Sequence, residues 1–172
     1  MKNTDFMKKI STKTIVVLSG ATSAAFLAFA LISQYGFHLH PCELCIAQRV
    51  PYTLIVVFAI LACFCCSSER AMRRSAFICG LLFLVDMGIA IYHSGVEFGV
   101  FTGPSGCTNN DKPGASIEEM RAAIMNAQLV PCDQPMAYIF GLSMASWYAL
   151  AAMGMAALVF YLLKNSRRAL HA

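Results

Sequence analysis

Four long apolar runs, separated by short polar stretches, organise this chain; they cover about residues 14–34, 46–66, 75–92 and 141–163. At about 1.5 Å of rise per residue, roughly 20 helical residues cross a hydrocarbon layer about 30 Å thick, so each run is a candidate membrane helix and the third is the marginal one. Two outer loops, about residues 35–45 and 93–140, alternate with these runs. In the second, Ser116 followed by Glu119 fits a capping box, and Ile117, Met120, Ile124 and Ala127 recur at helical spacing before Pro131 stops the run. The pattern predicts an all-α membrane protein: one integral membrane domain over residues 1–172, a four-transmembrane-helix bundle with a short amphipathic helix in the second outer loop.

Composition supports that class. Hydrophobic residues make up 58% of the chain and charged ones 13%, too apolar for an ordinary soluble domain. Lys2, Lys8, Lys9 and Lys13 precede the first run, Arg70, Arg73 and Arg74 join the second to the third, and Lys164, Arg167 and Arg168 follow the fourth. By the positive-inside rule both termini and the middle loop are cytoplasmic. The net charge of +4 therefore reports topology, and membrane lipid is the expected partner, with no nucleic acid. Ala28-Phe29-Ala30 offers an A-x-A cleavage pattern, but Leu31 and Ile32 continue the apolar run with no polar region before it, so the first helix is expected to be retained.

The chemistry lies in the cysteines. Cys42, Cys45, Cys107 and Cys132 fall in or beside the outer loops, whereas Cys63, Cys65, Cys66 and Cys79 lie toward the cytoplasmic face. An oxidising compartment outside a bacterial inner membrane lets the first four pair as Cys42-Cys45 and Cys107-Cys132. The second four are expected to be small packing residues, and Cys63 stands about 27 Å along the helix from Cys45, too far for direct exchange. A Cys-x-x-Cys pair at a helix start points to redox chemistry; zinc would want about four ligands, and the nearby candidates are only His38 and His40, so no metal is expected. Cys42, Cys45 and Arg49 share one helical face, where the positive helix terminus and a permanent cation favour a thiolate. Turn-rich sequence around Gly103-Pro104 predicts that Cys107 sits on an accessible, mobile segment.

Cys42-Glu43-Leu44-Cys45 leading into Ile46-Ala47-Gln48-Arg49, the separated pair Cys107 and Cys132, and Phe140-Gly141-Leu142-Ser143-Met144 opening the last helix together resemble the disulfide bond formation protein B family, the quinone-dependent inner-membrane thiol oxidases. Tyr92-His93-Ser94-Gly95-Val96-Glu97 is similar to a stretch at the end of the third helix in one branch of that family. Pro51 should distort the start of the second helix. The resemblance implies a protein thiol:quinone oxidoreductase in the bacterial inner membrane. Its catalytic residues would be Cys42, Cys45, Cys107 and Cys132, and its acceptor a quinone, ubiquinone or menaquinone, held by Arg49, His93 and Cys45. Its partner would be a DsbA-like, thioredoxin-fold periplasmic protein.

On that resemblance, the partner attacks Cys107, Cys132 is released and attacks Cys42, and the Cys45 thiolate passes electrons to the quinone. Asp86, His93 and Glu97 lie seven and four residues apart, on one helical face; His93 is a quinone-site or proton-handling candidate, and Asp86 either a proton-path residue or a paired Asp inside the bundle. Three rivals remain. A vitamin K epoxide reductase-like enzyme would carry its quinone-proximal pair late in a helix. An electron exporter would need redox cysteines reachable from both faces. A non-enzymatic scaffold stapled by two disulfides would have bonds inert to mild reductant.

Overall fold

The computed structural model describes residues 11–104, 107, 131–135 and 138–170. The expected amphipathic helix, with Ser116, Glu119, Ile117, Met120, Ile124 and Ala127, lies outside the described residues. Four α-helices make up the bundle: α1 Thr12–Gly36, α2 Glu43–Cys65, α3 Glu69–Glu97 and α4 Met144–Leu170. All four are long and apolar enough to span a membrane. Only 28% to 33% of their most apolar windows is buried inside the protein, so most of the apolar surface, including Leu54, Phe77 and Ile91, faces outward toward lipid.

Each helix begins on a residue that can satisfy its free N–H groups. The Ser11 hydroxyl accepts from the Lys13 N–H, the Ser68 hydroxyl from the Ala71 N–H, and the Cys42 sulfur from the Cys45 N–H. The apolar runs understate α3 most: the shortest run belongs to the longest helix, 29 residues, because hydropathy marks the lipid-matched part while the polar ends at Glu69 and Glu97 are still helical. His93 and Glu97 therefore stand on the helix and not in the following loop. Residues 141–143 do not open α4 as expected. Tyr138–Ile139 (β1) and Leu142–Ser143 (β2) form a two-stranded antiparallel ladder, turning through Phe140 and Gly141, both at positive φ. Helix α4 then starts at Met144. Pro51 lies within α2, which continues past it to Cys65, so the missing N–H does not end the helix.

α3 packs most extensively on α4, α1 on α2 and α2 on α3, whereas α1 and α4 touch much less and leave an apolar groove between them, flanked by Phe29 and Trp147. The core joins Ile15 and Val16 of α1, Tyr52 and Ile55 of α2, Phe83 of α3 and Val159 of α4. At the end away from Cys42, the Thr12 hydroxyl bonds Glu69, and Arg73 donates to the Leu163 carbonyl at 2.9 Å. Cys79 is fully buried in the core and Cys66 packs against it, as expected of packing residues. Cys65 differs: it is exposed on the outside of α2, because its position turns away from the neighbouring helices.

α1 and α2 meet through small residues. A Cβ at Gly20 would lie 2.6 Å from the Ala59 Cβ, so the two backbones are as close as the absence of one methyl allows. Gly20→Ala should destabilise the bundle by about 1 to 3 kcal/mol, as overpacking does, and Ala59→Gly added to it should restore most of the loss. Thermal unfolding in detergent checks this; equal midpoints for Gly20→Ala and the original protein would refute the contact.

Candidate active site

The α1–α2 loop ends in Pro41 and Cys42, and α2 starts immediately afterwards, which fixes the Cys42 sulfur over the first turn. Its Sγ accepts the Cys45 N–H at 3.3 Å, lies 3.0 Å from Cys45 Sγ and 3.4 Å from His93 Nε2. Two thiols can share a proton in either sense. Here the backbone N–H and the imidazole both converge on Cys42, so Cys42 is the sulfur that carries negative charge and Cys45 donates. The Cys45 thiol and the His93 ring hold the Cys42 thiol well below the ordinary thiol range, against the opposing effect of burial. Cys42 and Cys45 are in contact as free cysteines, and the helix terminus acts on Cys42 more directly than on Cys45.

His93 arrives from the last turn of α3. Its Nδ1 lies 3.2 Å from Gln48 Oε1, which can only accept, so Nδ1 carries a proton and donates to Gln48. That leaves Nε2 to exchange a proton with Cys42. A proton passed from Cys42 to Nε2 gives a thiolate–imidazolium pair, and Glu97, 3.8 Å from the same nitrogen, adds a carboxylate to balance it. Gln48 and His93 are both buried, so the pair is shielded from solvent.

On the other side of the cysteines is a cavity lined by Cys42, Cys45, Arg49, Tyr52, His93 and Tyr148. The Arg49 guanidinium is tied to α1 by a 2.7 Å bond from Nη1 to Gln34 Oε1, which fixes where its remaining donors point. The donors Cys42 Sγ, Cys45 Sγ and a His93 nitrogen lie within 4.8 Å of one another, one ligand short of a tetrahedral zinc set. His38 and His40 are exposed in the α1–α2 loop. Asp86 is buried farther down α3.

The second cysteine pair is a disulfide. Cys107 and Cys132 are joined across 25 residues with their Cα atoms 5.3 Å apart. Cys107 is 1% exposed, contrary to the accessible segment its neighbours predict, because the disulfide and the bond from the Cys132 N–H to the Cys107 carbonyl draw it inward. One buried cluster gathers Cys42, Leu44, Val96, Cys107 and Cys132, with Cys45 and Tyr92 packed against it. Both cysteine pairs thus share one apolar pocket at the same end of the bundle. Such an arrangement can pass a disulfide from one pair to the other by thiolate attack.

A family model described as "Disulfide bond formation protein DsbB" matches residues 12–162. The chain belongs to that family. Relatives with that printed name include "Disulfide bond formation protein B" of Cupriavidus metallidurans, 26% identical over 80% of this chain and 83% of the relative. "Disulfide bond formation protein B 1" of Pseudomonas savastanoi is 26% identical over 96% of this chain and 97% of that one. "Uncharacterized protein RP370" of Rickettsia prowazekii is 26% identical over 83% of each chain. No solved structure matches the chain. Membership in the DsbB family makes this a multi-pass membrane protein of disulfide bond formation, with disulfide oxidoreductase activity.

Two polar residues of this DsbB-family site escape a reading by spacing. Gln48 lies in the motif that carries the resemblance, but its contact to His93 spans 45 residues; Gln34 sits at the end of an apolar run and gains meaning only beside Arg49. The signal available in the sequence was their type: an uncharged amide at the end of a membrane helix wants a partner. Gln48→Leu removes the acceptor that fixes His93. It should slow alkylation of Cys42 in the reduced protein about fivefold to thirtyfold below pH 7, the loss of one buried hydrogen bond of about 1 to 2 kcal/mol. Peptide mapping by mass spectrometry measures it, and an unchanged Cys42 rate would remove Gln48 from the site.

Proposed function

We propose that this protein oxidises a thioredoxin-fold dithiol partner similar to DsbA and passes the electrons to a membrane quinone. The observation that carries the reading is the single buried cluster in which Cys107–Cys132 packs against Cys42 and Cys45, with a cavity lined by both Cys42 and Cys45 beside it. The Cys107–Cys132 disulfide belongs to the loops and the Cys42, Cys45 pair lines the cavity, so the two pairs can serve a water-soluble donor and a lipid-soluble acceptor in turn.

The exchange balances as follows. A partner thiolate attacks Cys107, and Cys132 leaves as thiolate. Cys132 attacks Cys42, and Cys45 leaves. The partner's second thiolate closes the partner's own disulfide and frees Cys107, which takes Cys132 back and frees Cys42. Cys42 and Cys45 then re-form their bond and give up two electrons.

Residues around Cys45 fit a quinone ring. Arg49 supplies hydrogen-bond donors where negative charge develops, Tyr52 and Tyr148 supply flat walls, and the apolar groove between α1 and α4 shares Phe26, Met144 and Tyr148 with the cavity, so entry from the lipid is open. A bound quinone accepts two electrons and two protons. His93, in contact with Cys42, handles the proton of that thiol. Lys13, Arg70, Arg73, Arg74 and Lys164 flank the helix ends opposite the cysteines, which supports cytoplasmic termini and a periplasmic redox end in a bacterial inner membrane.

The test uses purified protein, a reduced thioredoxin-fold dithiol protein and a soluble quinone, followed by quinone absorbance. Turnover should consume quinone stoichiometrically with partner oxidation, and Cys45→Ser should abolish it while Cys107–Cys132 still exchanges with the partner. Quinone consumption at the original rate by Cys45→Ser would disprove the path. Disulfides that resist the partner altogether would favour a stapled scaffold.

A further inference from the structure

Free thiols are metal donors as well as redox groups, and the fold gathers further donors around Cys42 and Cys45. By position in the chain only His38 and His40 stand close to the pair, and both are exposed in the α1–α2 loop. The last turn of α3 supplies two others. Cys42 Sγ, Cys45 Sγ and a His93 nitrogen lie within 4.8 Å of one another, the one such trio of metal donors among the described residues. His93 has the arrangement of a ligand: Nδ1 donates to Gln48 Oε1 at 3.2 Å, and the Nε2 lone pair is left to face Cys42 Sγ, 3.4 Å away. Glu97 stands outside the trio, with Oε1 3.8 Å from the same Nε2. Its side chain is 5% exposed, it lines the cavity with both cysteines, and Oε2 is buried with no hydrogen-bond partner among the described residues. A buried carboxylate oxygen without a partner is costly, and a cation relieves that cost. Zinc lies about 2.3 Å from sulfur and about 2.0 Å from nitrogen or oxygen, so its tetrahedral ligands stand roughly 3.3 to 3.8 Å apart. Both contacts of Nε2 have that spacing already. The two sulfurs, 3.0 Å apart, reach it by rotation about χ1, and rotation of the Glu97 side chain brings its carboxylate to the fourth corner.

We propose that the reduced site binds a zinc ion through the thiolates of Cys42 and Cys45, Nε2 of His93 and the carboxylate of Glu97, so that zinc blocks disulfide exchange and disulfide closure expels zinc. Two thiolates and an imidazole select a borderline-soft ion over calcium or magnesium. Gln48 holds His93 in the ligating tautomer, and the Cys45 N–H that bonds Cys42 Sγ continues to donate to the metal-bound thiolate. Three anionic ligands around Zn2+ leave one negative charge, which Arg49 on the cavity wall offsets. On binding, the proton of Cys45 and the one shared by Cys42 and His93 pass to solvent. No electrons move, because zinc has no redox chemistry. Once Cys42 and Cys45 are joined they have no thiolate to offer, so the disulfide and the metal exclude each other. Binding depends on the dithiol alone, while its effect on turnover rests on the proposed oxidase reading.

The test uses the full-length Cys107→Ser, Cys132→Ser protein in detergent, reduced and then freed of reductant, so that no loop thiol competes for the ion. Alkylation by iodoacetamide is followed for each cysteine by peptide mass spectrometry while free zinc is raised in a chelator buffer. Zinc at about ten times its Kd should slow Cys42 and Cys45 together by about tenfold, with Cys63, Cys65 and Cys66 keeping their rates as internal controls. Co2+ in its place should give the visible absorption of a tetrahedral thiolate site. Gln48→Leu should weaken zinc about tenfold to a hundredfold, as loss of a ligand's outer partner does, and His93→Ala and Glu97→Gln at least as much. Equal alkylation rates with and without micromolar zinc overturn the proposal. So does protection that survives undiminished in either His93→Ala or Glu97→Gln, the mark of two thiols binding zinc without the rest of the set; each variant is decisive without the other. Quinone turnover is assayed with the chelator alone, so failure of the oxidase reading and failure of the zinc site are separate results.

Discussion

The first turn of α2 holds the site together. A helix start leaves N–H groups that need acceptors, and here the acceptor at the cap position is a sulfur where Ser or Asp is usual. That substitution couples backbone structure to redox state: the Cys42 thiolate satisfies the Cys45 N–H better than a thiol or a disulfide sulfur can. His93 and the Cys45 thiol add to the same anion. Because Cys42 is 3% exposed, water does not compete for these contacts, and the charge is stabilised by fixed groups alone. Cys45, Gln48, Arg49 and Tyr52 all follow within the next two to three turns, so the placement of one cap sets the position of every α2 residue in the site.

The bundle positions the remaining parts by ordinary packing. Close approach of α1 to α2 at Gly20 and Ala59 brings Gln34 within reach of Arg49. The extensive α3–α4 contact leaves α1 and α4 apart, and the groove in that gap shares Phe26, Met144 and Tyr148 with the cavity. α3 then delivers a column of ionisable groups, Asp86, His93 and Glu97, to the inside of the bundle. In a membrane such a column is costly, and its upper members, His93 and Glu97, stand beside Cys42.

Much of this was legible in the sequence. Length and hydropathy specify four spans, and the Cys42-Glu43-Leu44-Cys45 motif places a cysteine pair at a helix start with Arg49 one turn further on. What spacing cannot supply is contact between distant segments. Cys107 and Cys132 stand more than 60 residues from Cys42, and nothing local announces that both pairs share one buried pocket. The turn-rich residues before Cys107 argue for exposure, and they mislead because a disulfide and an apolar cluster outweigh local turn preference. Helix ends mislead in the same direction. The apolar run stops at Tyr92, but the backbone of α3 continues through His93 to Glu97, and those five residues include the imidazole that touches Cys42. Gln34 and Gln48 have no periodic signature at all; their roles exist only through partners on other helices.

The central claim is that Cys42 is an anion held by the start of α2 and by His93. It is measured most directly by titrating the Cys42 thiol in the reduced protein, through the pH dependence of its alkylation in the Cys107→Ser, Cys132→Ser background, where no other loop cysteine can react with it. A group whose pKa is lowered keeps its charge as pH falls, so Cys42 should stay reactive through mildly acidic pH, well below the ordinary thiol value of about 8.5. His93→Phe should move the loss of reactivity to higher pH. A Cys42 that titrates at the ordinary thiol value, with or without His93, would contradict the account.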